Sequence, residues 1–156
     1  MTNTRPWAPL AAAIVALVGV DLATKRYAVT FLAEAPVDLP GPLNLELSYN
    51  SGTAFGLFSN IPSIILSIVV FAFVIAVLSL WRTHRAPTGA VVLVVAGGLA
   101  NAIDRLEGGS VVDMVHTGWW PNFNVADIFI NTGIAYWIIS TLPRHATDAG
   151  DDASEP

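Results

Sequence analysis

The chain of 156 residues contains no cysteine and little charge, only 12% Asp, Glu, Lys and Arg. Without cysteine there can be no disulfide, thiolate metal site or cysteine nucleophile within the chain. The chain also cannot be acylated on a cysteine of its own. The three histidines, His84, His116 and His145, are scattered, and there is no HExxH pattern and no nucleophile-elbow serine. Zinc chemistry and serine hydrolysis therefore lose their usual signatures, and no cofactor or metal site is expected. The formal net charge of −5 is local: Asp148, Asp151, Asp152 and Glu155 supply four of the negative charges. They lie in a Gly/Ala/Asp-rich tail, residues 146–156, that reads as disordered. The remainder is nearly neutral, so nothing points to nucleic-acid binding.

What the chain has in abundance is apolar sequence: 54% of its residues, with a mean hydropathy of +0.61. Four apolar runs stand out, Pro6 to Val20, Ile61 to Trp81, Ala86 to Ile103 and Ile128 to Pro143. A spanning helix needs about 20 mostly apolar residues. The second run meets that length; the others reach it when the polar residues at their ends are counted in. The expectation is an all-α integral membrane protein, residues 1–145 forming one domain of four transmembrane helices at about 6–24, 61–81, 86–104 and 127–143. The first run competes with a cleavable signal peptide, but Ala33-Glu34-Ala35 lies too far beyond it, past Asp21, Lys25 and Arg26. An uncleaved first span is the better reading.

Arg82, His84 and Arg85 lie between the second and third runs, Arg5 before the first and Arg144 after the last. The positive-inside rule then makes both termini cytoplasmic, with Lys25, Arg26 and Arg105 counting against it. Two outer loops remain. The longer, about 27–60, carries the alternation Leu43, Leu45, Leu47, Tyr49, and the shorter, 106–123, carries Val111-Val112. Period-two alternation predicts small extracytoplasmic β elements. Trp119-Trp120 read as interfacial anchors.

The acids at span ends carry the chemistry. Asp21, Asp104 and Asp127 each stand at one end of an apolar run, and Asp113 lies between the last two. A charge beside a span is costly, so it marks a functional site by default. Asp21 and Lys25 are i,i+4, Asn101 stands three and four residues before Asp104 and Arg105, and Asn124 stands three before Asp127. Each set shares a helix face, and in lipid those faces turn inward. Ala96, Gly97, Gly98 and Ala100 permit close helix approach beside Asn101. The bland alternative, polar clamps between helices, suits Asp21–Lys25 but explains four acids with few bases poorly. Two close carboxylates share a proton, so one can activate water while the other acts as acid. Composition leaves open which two pair, with a slight preference for Asp113 and Asp127 across the short outer loop.

At these residues the chain resembles lipoprotein signal peptidase, or signal peptidase II. Asp21-Leu-Ala-Thr-Lys25, Asn50-Ser-Gly-Thr-Ala-Phe-Gly56, Gly97-Gly-Leu-Ala-Asn-Ala-Ile-Asp-Arg105, Val111-Val-Asp113 and Phe123-Asn-Val-Ala-Asp127 match the family's five motifs in order. Ala100 stands where the family commonly has Gly, and Thr53 where Ala or Val is frequent. The resemblance implies a membrane aspartyl endopeptidase that removes signal peptides from diacylglyceryl-modified prolipoproteins just before the lipidated cysteine. It implies Asp113 and Asp127 as the catalytic pair. Asn50, Gly52, Asn101, Arg105 and Asn124 become substrate-binding or dyad-orienting residues, and Asp21, Lys25 and Asp104 structural support. Implied partners are prolipoproteins, membrane lipids and a cyclic peptide antibiotic inhibitor, in the bacterial cytoplasmic membrane, and nothing demands more than a monomer. The rivals are a proton- or cation-coupled transporter using the aspartates as ion sites, and a non-catalytic membrane scaffold. A transporter predicts carboxylates mid-span and leaves Asn50–Gly56 without a role.

Overall fold

The computed structural model describes residues 6–52 and 61–142. The acidic tail and Thr53 to Gly56 of the second motif lie outside the described residues. Among the described residues the order is α1 (Trp7–Phe31), β1 (Val37–Asp38), β2 (Asn44–Asn50), α2 (Ser63–Arg82), α3 (Thr88–Gly108), β3 (Val111–His116) and α4 (Val125–Thr141).

The helices begin where the sequence allows them to. Pro6, Pro62 and Pro87 occupy the N-cap positions of α1, α2 and α3 in extended or near-extended conformations, where a missing N–H removes no helical bond. α3 ends on Gly109, whose φ of 74° is the left-handed conformation that glycine reaches most cheaply. α1, α2 and α3 are each long and apolar enough to cross a membrane, whereas α4, at 17 residues, is apolar but shorter. α1 has 25 residues. At about 1.5 Å per residue it exceeds a hydrocarbon core of about 30 Å. It continues through Lys25 and Arg26 to Phe31, beyond the expected end near residue 24, because long-chain basic residues are good helix formers.

α3 is the central element. Val91, Val94, Val95 and Ala96 are buried among Leu10 and Ile14 of α1 and Val74, Val77 and Trp81 of α2. α2 turns the opposite way outward, with Ile68, Val69 and Ile75 59%, 60% and 66% exposed, which is the face a lipid-contacting helix presents. At the end of the bundle remote from β3, Trp7 stacks edge-on against Trp81 at 4.9 Å, and Trp81 donates to Thr88.

The three strands form one antiparallel sheet in the order β1-β2-β3. β2 pairs with β3 through Ser48 opposite Asp113 and Asn50 opposite Val111, with a register irregularity between Leu45 and Ser48. Alternation places Asp113 on one face of β3 while Met114 packs against Ala28 of α1 and Leu32 just past its end on the other. Phe123 then bridges back to Val115 by reciprocal backbone bonds of 2.9 and 3.1 Å. That fold-back delivers Asn124 and the start of α4 beside β3.

The crossing of α3 with α4 is the tightest in the fold. A Cβ on Gly97 would stand 2.4 Å from the Ala126 carbonyl oxygen and 2.7 Å from Ile130 Cγ1, and one on Gly133 would meet Leu93 and Val94 below 3.0 Å. Gly98 looks toward α2, where a Cβ would find Val70 at an ordinary 3.4 Å. Gly97→Ala is therefore expected to lose about 1–3 kcal/mol by forcing backbone apart, while Gly98→Ala stays near wild type. Thermal unfolding of the two variants in detergent checks the contrast.

A candidate active site of convergent aspartates and asparagines

α4 begins with a capping box. The Asn124 side chain accepts the Asp127 N–H at 3.0 Å, and the Asp127 carboxylate accepts the Asn124 N–H at 3.2 Å. The spacing Asn124-x-x-Asp127, read in the sequence as one helix face, is thus a helix start in which each residue holds the other. Asp127 is the acidic residue of the first turn of α4.

The same two residues reach outward. Asn124 Nδ2 donates to Asp113 Oδ1 at 2.7 Å and to Asn101 Oδ1 at 3.2 Å. Asn101 Nδ2 donates to Asp127 Oδ1 at 2.9 Å. Asn50 Nδ2, at the end of β2, donates to Asp113 Oδ2 at 3.2 Å. Both aspartates therefore rest on asparagine amides, groups that donate without neutralising the charge. Asp113 is almost wholly buried, and burial, reinforced by the nearby Asp127 charge, pushes its carboxyl up to about 6. The hydrogen bonds from Asn124 and Asn50 and the Lys25 charge act the other way.

Behind the pair lies a buried ionic centre. The Lys25 ammonium is 2.7 Å from Asp21 Oδ2, 2.9 Å from Asp104 Oδ2 and 2.8 Å from Asn101 Oδ1. Its three protons thus have three acceptors. Asp21 Oδ1 also accepts the Ala126 N–H at 2.6 Å, and Asp104 Oδ2 the Val112 N–H at 3.1 Å. The sequence spacing showed the Asp21–Lys25 pair; the Asp104 partner and both backbone bonds carry no local signature.

Arg105 pairs differently from its sequence neighbour. Its guanidinium donates to the Gly52 carbonyl at 2.8 Å and, at 3.4 Å, to the Asn101 carbonyl, while its Nε is buried without a partner. Gly52 in turn donates its N–H to Asn50 Oδ1 at 3.0 Å. Arg105 and Asn50 so fasten the chain just before residues 53–60.

Asn50, Asn101, Arg105, Asp113 and Asp127 line a single cleft of about 490 Å³, whose apolar side is supplied by Val70, Val111, Phe123 and Ile130. All ten residues singled out in the sequence lie in this cleft or in the polar network adjoining it. Missing from that set are Asn122 and Ser48, joined at 2.8 Å, and His116, 2.6 Å from Asn122. They brace the loop that carries the cleft wall, and nothing in their spacing marks them.

Replacing Asn124 by alanine removes a helix cap, about 0.5–2 kcal/mol, and leaves Asp113 and Asn101 each short of a partner. Asn124→Ala is expected to melt several degrees below wild type, whereas Asn131→Ala, which removes a bond to the Asp127 carbonyl on an exposed helix face, does not. Thermal unfolding followed by circular dichroism distinguishes them.

The geometry has close counterparts. A family model described as signal peptidase (SPase) II matches residues 13–143. The chain is 34% identical over 152 residues to the lipoprotein signal peptidase of Mesorhizobium japonicum, covering 88% of each chain. It is 39% identical over 132 residues to that of Rhodococcus jostii, covering 78% of this chain and 66% of the relative. A solved bacterial membrane enzyme superposes with a TM-score of 0.78 at 26% identity, over 93% of this chain and 99% of that one.

Proposed function

The chain belongs to the signal peptidase II family, and from that premise we propose that it is an aspartic endopeptidase that removes signal peptides from diacylglyceryl-modified prolipoproteins, cutting just before the lipidated cysteine. The observation that carries the reading is the pair Asp113 and Asp127, bridged by Asn124 and Asn101 in one cleft with an apolar wall. Asp113 and Asp127 are the catalytic residues. Asn50, Asn101 and Asn124 orient them, and Arg105 with Gly52 shapes the peptide-binding edge.

The division of labour follows from the burial of Asp113. Asp127, the other carboxylate of the pair, is assigned the role of base and takes a proton from water as the oxygen attacks the scissile carbonyl carbon. Asp113, raised by burial, is the protonated member and gives its proton to the carbonyl oxygen. Collapse breaks the C–N bond, with the Asp127 proton passing to the leaving nitrogen and a hydroxyl proton returning to Asp113. The dyad ends as it began.

The setting suits a lipid-anchored substrate. The diacylglyceryl chains stay in the bilayer while the adjacent peptide bond meets a cleft at the membrane rim. Arg82, at the end of α2, and Arg85, after it, precede α3, and the cleft lies toward the other end of that helix. That separation, about 30 Å for 20 residues, supports cytoplasmic termini and an extracytoplasmic site in a bacterial cytoplasmic membrane. A cyclic peptide antibiotic that inhibits the family is expected to occupy the same cleft.

The test is cleavage of a diacylglyceryl-modified prolipoprotein by purified protein with a metal chelator present. Wild type is expected to cut just before the lipidated cysteine, and Asp113→Asn and Asp127→Asn to lose at least about 10³-fold in rate. Full activity in either folded variant overturns the dyad. Because Asp113 must hold its proton and does so below about 6, kcat/KM is expected to fall as pH rises through that value. A profile flat from pH 5 to 8 removes Asp113 as the acid.

A further inference from the structure

Two of the backbone bonds in the ionic centre fall at telling positions. The Ala126 N–H held by Asp21 belongs to the residue immediately before Asp127, and the Val112 N–H held by Asp104 to the residue immediately before Asp113. Asp21 and Asp104 come from α1 and α3, and both are held by the one Lys25 ammonium. The third Lys25 acceptor, Asn101 Oδ1, belongs to the side chain that donates to Asp127. All three partners of one buried cation thus lead to the dyad, two at the backbone N–H just before each aspartate and one at the Asp127 carboxylate.

A clamp between α1 and α3 alone needs only the lysine and one carboxylate. Here each carboxylate uses one interaction for the cation and another for the backbone bearing a catalytic group. Lys25 itself is 2% exposed and Asp21 fully buried, so neither is exchanging partners with water. A shift of about 1 Å in reacting groups can cost 10²-fold in rate, which is the scale on which such a jig matters.

We propose that Lys25 is a positioning residue for both halves of the dyad: through Asp21 it fixes the backbone that carries Asp127, and through Asp104 the backbone that carries Asp113. The proposal rests on the catalytic reading of Asp113 and Asp127. Lys25 also acts on the dyad through its charge. The charged groups facing Asp113 are Asp127 from α4, Lys25 from α1 and Arg105 from α3, with Asp104 one step further on the Lys25 ammonium. The neutral amides of Asn50 and Asn124 complete its surroundings.

The experiment uses the full chain in detergent and a diacylglyceryl-modified prolipoprotein, with kcat, KM and the pH profile measured for each folded variant. Lys25→Met is expected to lower kcat about 10²-fold with KM within a few-fold of wild type. Its alkaline limb moves to higher pH, because the charge that eases Asp113 ionisation is gone. Asp21→Asn and Asp104→Asn keep an oxygen for the backbone N–H but weaken the hold on Lys25. Acting through one cation, they are expected to be coupled, the double variant losing less than the product of the single losses.

Wild-type kcat with an unmoved alkaline limb in folded Lys25→Met overturns the proposal, as does a rise in KM alone. Should Lys25→Met fail to fold, the asparagine variants decide, and independent multiplication of their losses overturns a shared jig. Asp113→Asn run alongside separates the two levels. If it is active, the dyad reading falls and the jig falls with it; if it is inactive while Lys25→Met is normal, only the positioning role falls.

Discussion

A lysine ammonium withdrawn from water at the level of a membrane helix must find an acceptor for every proton, since lipid offers none. Lys25 meets that requirement with one carboxylate on its own helix and a carboxylate and an amide on α3. Much of the architecture follows. α1 is tied to α3, and the same two acids also accept the Ala126 and Val112 N–H groups, Asp21 through its other oxygen and Asp104 through the oxygen that faces the cation. Desolvating so many charges is expensive, and the cost is offset only because nearly every lone pair and proton has a partner. Such a cluster is weak evidence for stability and stronger evidence for a fixed geometry.

The start of α4 serves two ends with the same atoms. Every helix leaves its first N–H groups unsatisfied. Here Asp21 satisfies the Ala126 N–H from another helix and Asn124 satisfies that of Asp127. Asp127 of the capping box also lines the cleft, and Asn124, buried behind it, bonds Asp113, so the site is the consequence of finishing a helix in a place with no water. Gly97 makes the arrangement possible, because α4 approaches α3 so closely that the Ala126 carbonyl occupies the space of a side chain.

The membrane character of the fold was legible because apolar runs and the cost of charge at their ends leave a plain trace in sequence. Asp21, Asp104, Asp113 and Asp127 stood out for that reason, as did the stretch 96–100 for its small residues. Less visible were interactions that spacing does not encode. Lys25 with Asp21 is i,i+4 and could be read; Lys25 with Asp104 spans two helices and could not. Asn124 and Asp127 were correctly associated, but helical spacing alone does not separate a shared face from a capping box. Arg105, adjoining Asp104, gives its guanidinium to backbone carbonyls instead, since Lys25 already holds that acid. The β2–β3 ladder was foreshadowed by alternation at Leu43 to Tyr49, whereas the fold-back at Phe123 rests on backbone bonds to which no residue type is specific.

The i,i+4 spacing of Asp21 and Lys25 has a bearing on how the chain is made. α1 leaves the ribosome with a counter-ion for Lys25 already on it, so that ammonium can enter the bilayer paired before α3 is made, with Arg26 the one charge left over. Asn101 and Asp104 emerge 76 and 79 residues after Lys25, and the stretch from Val111 to Asp127 is later still. Until that last stretch arrives, the nascent polypeptide holds a settled cation but neither member of the aspartate pair.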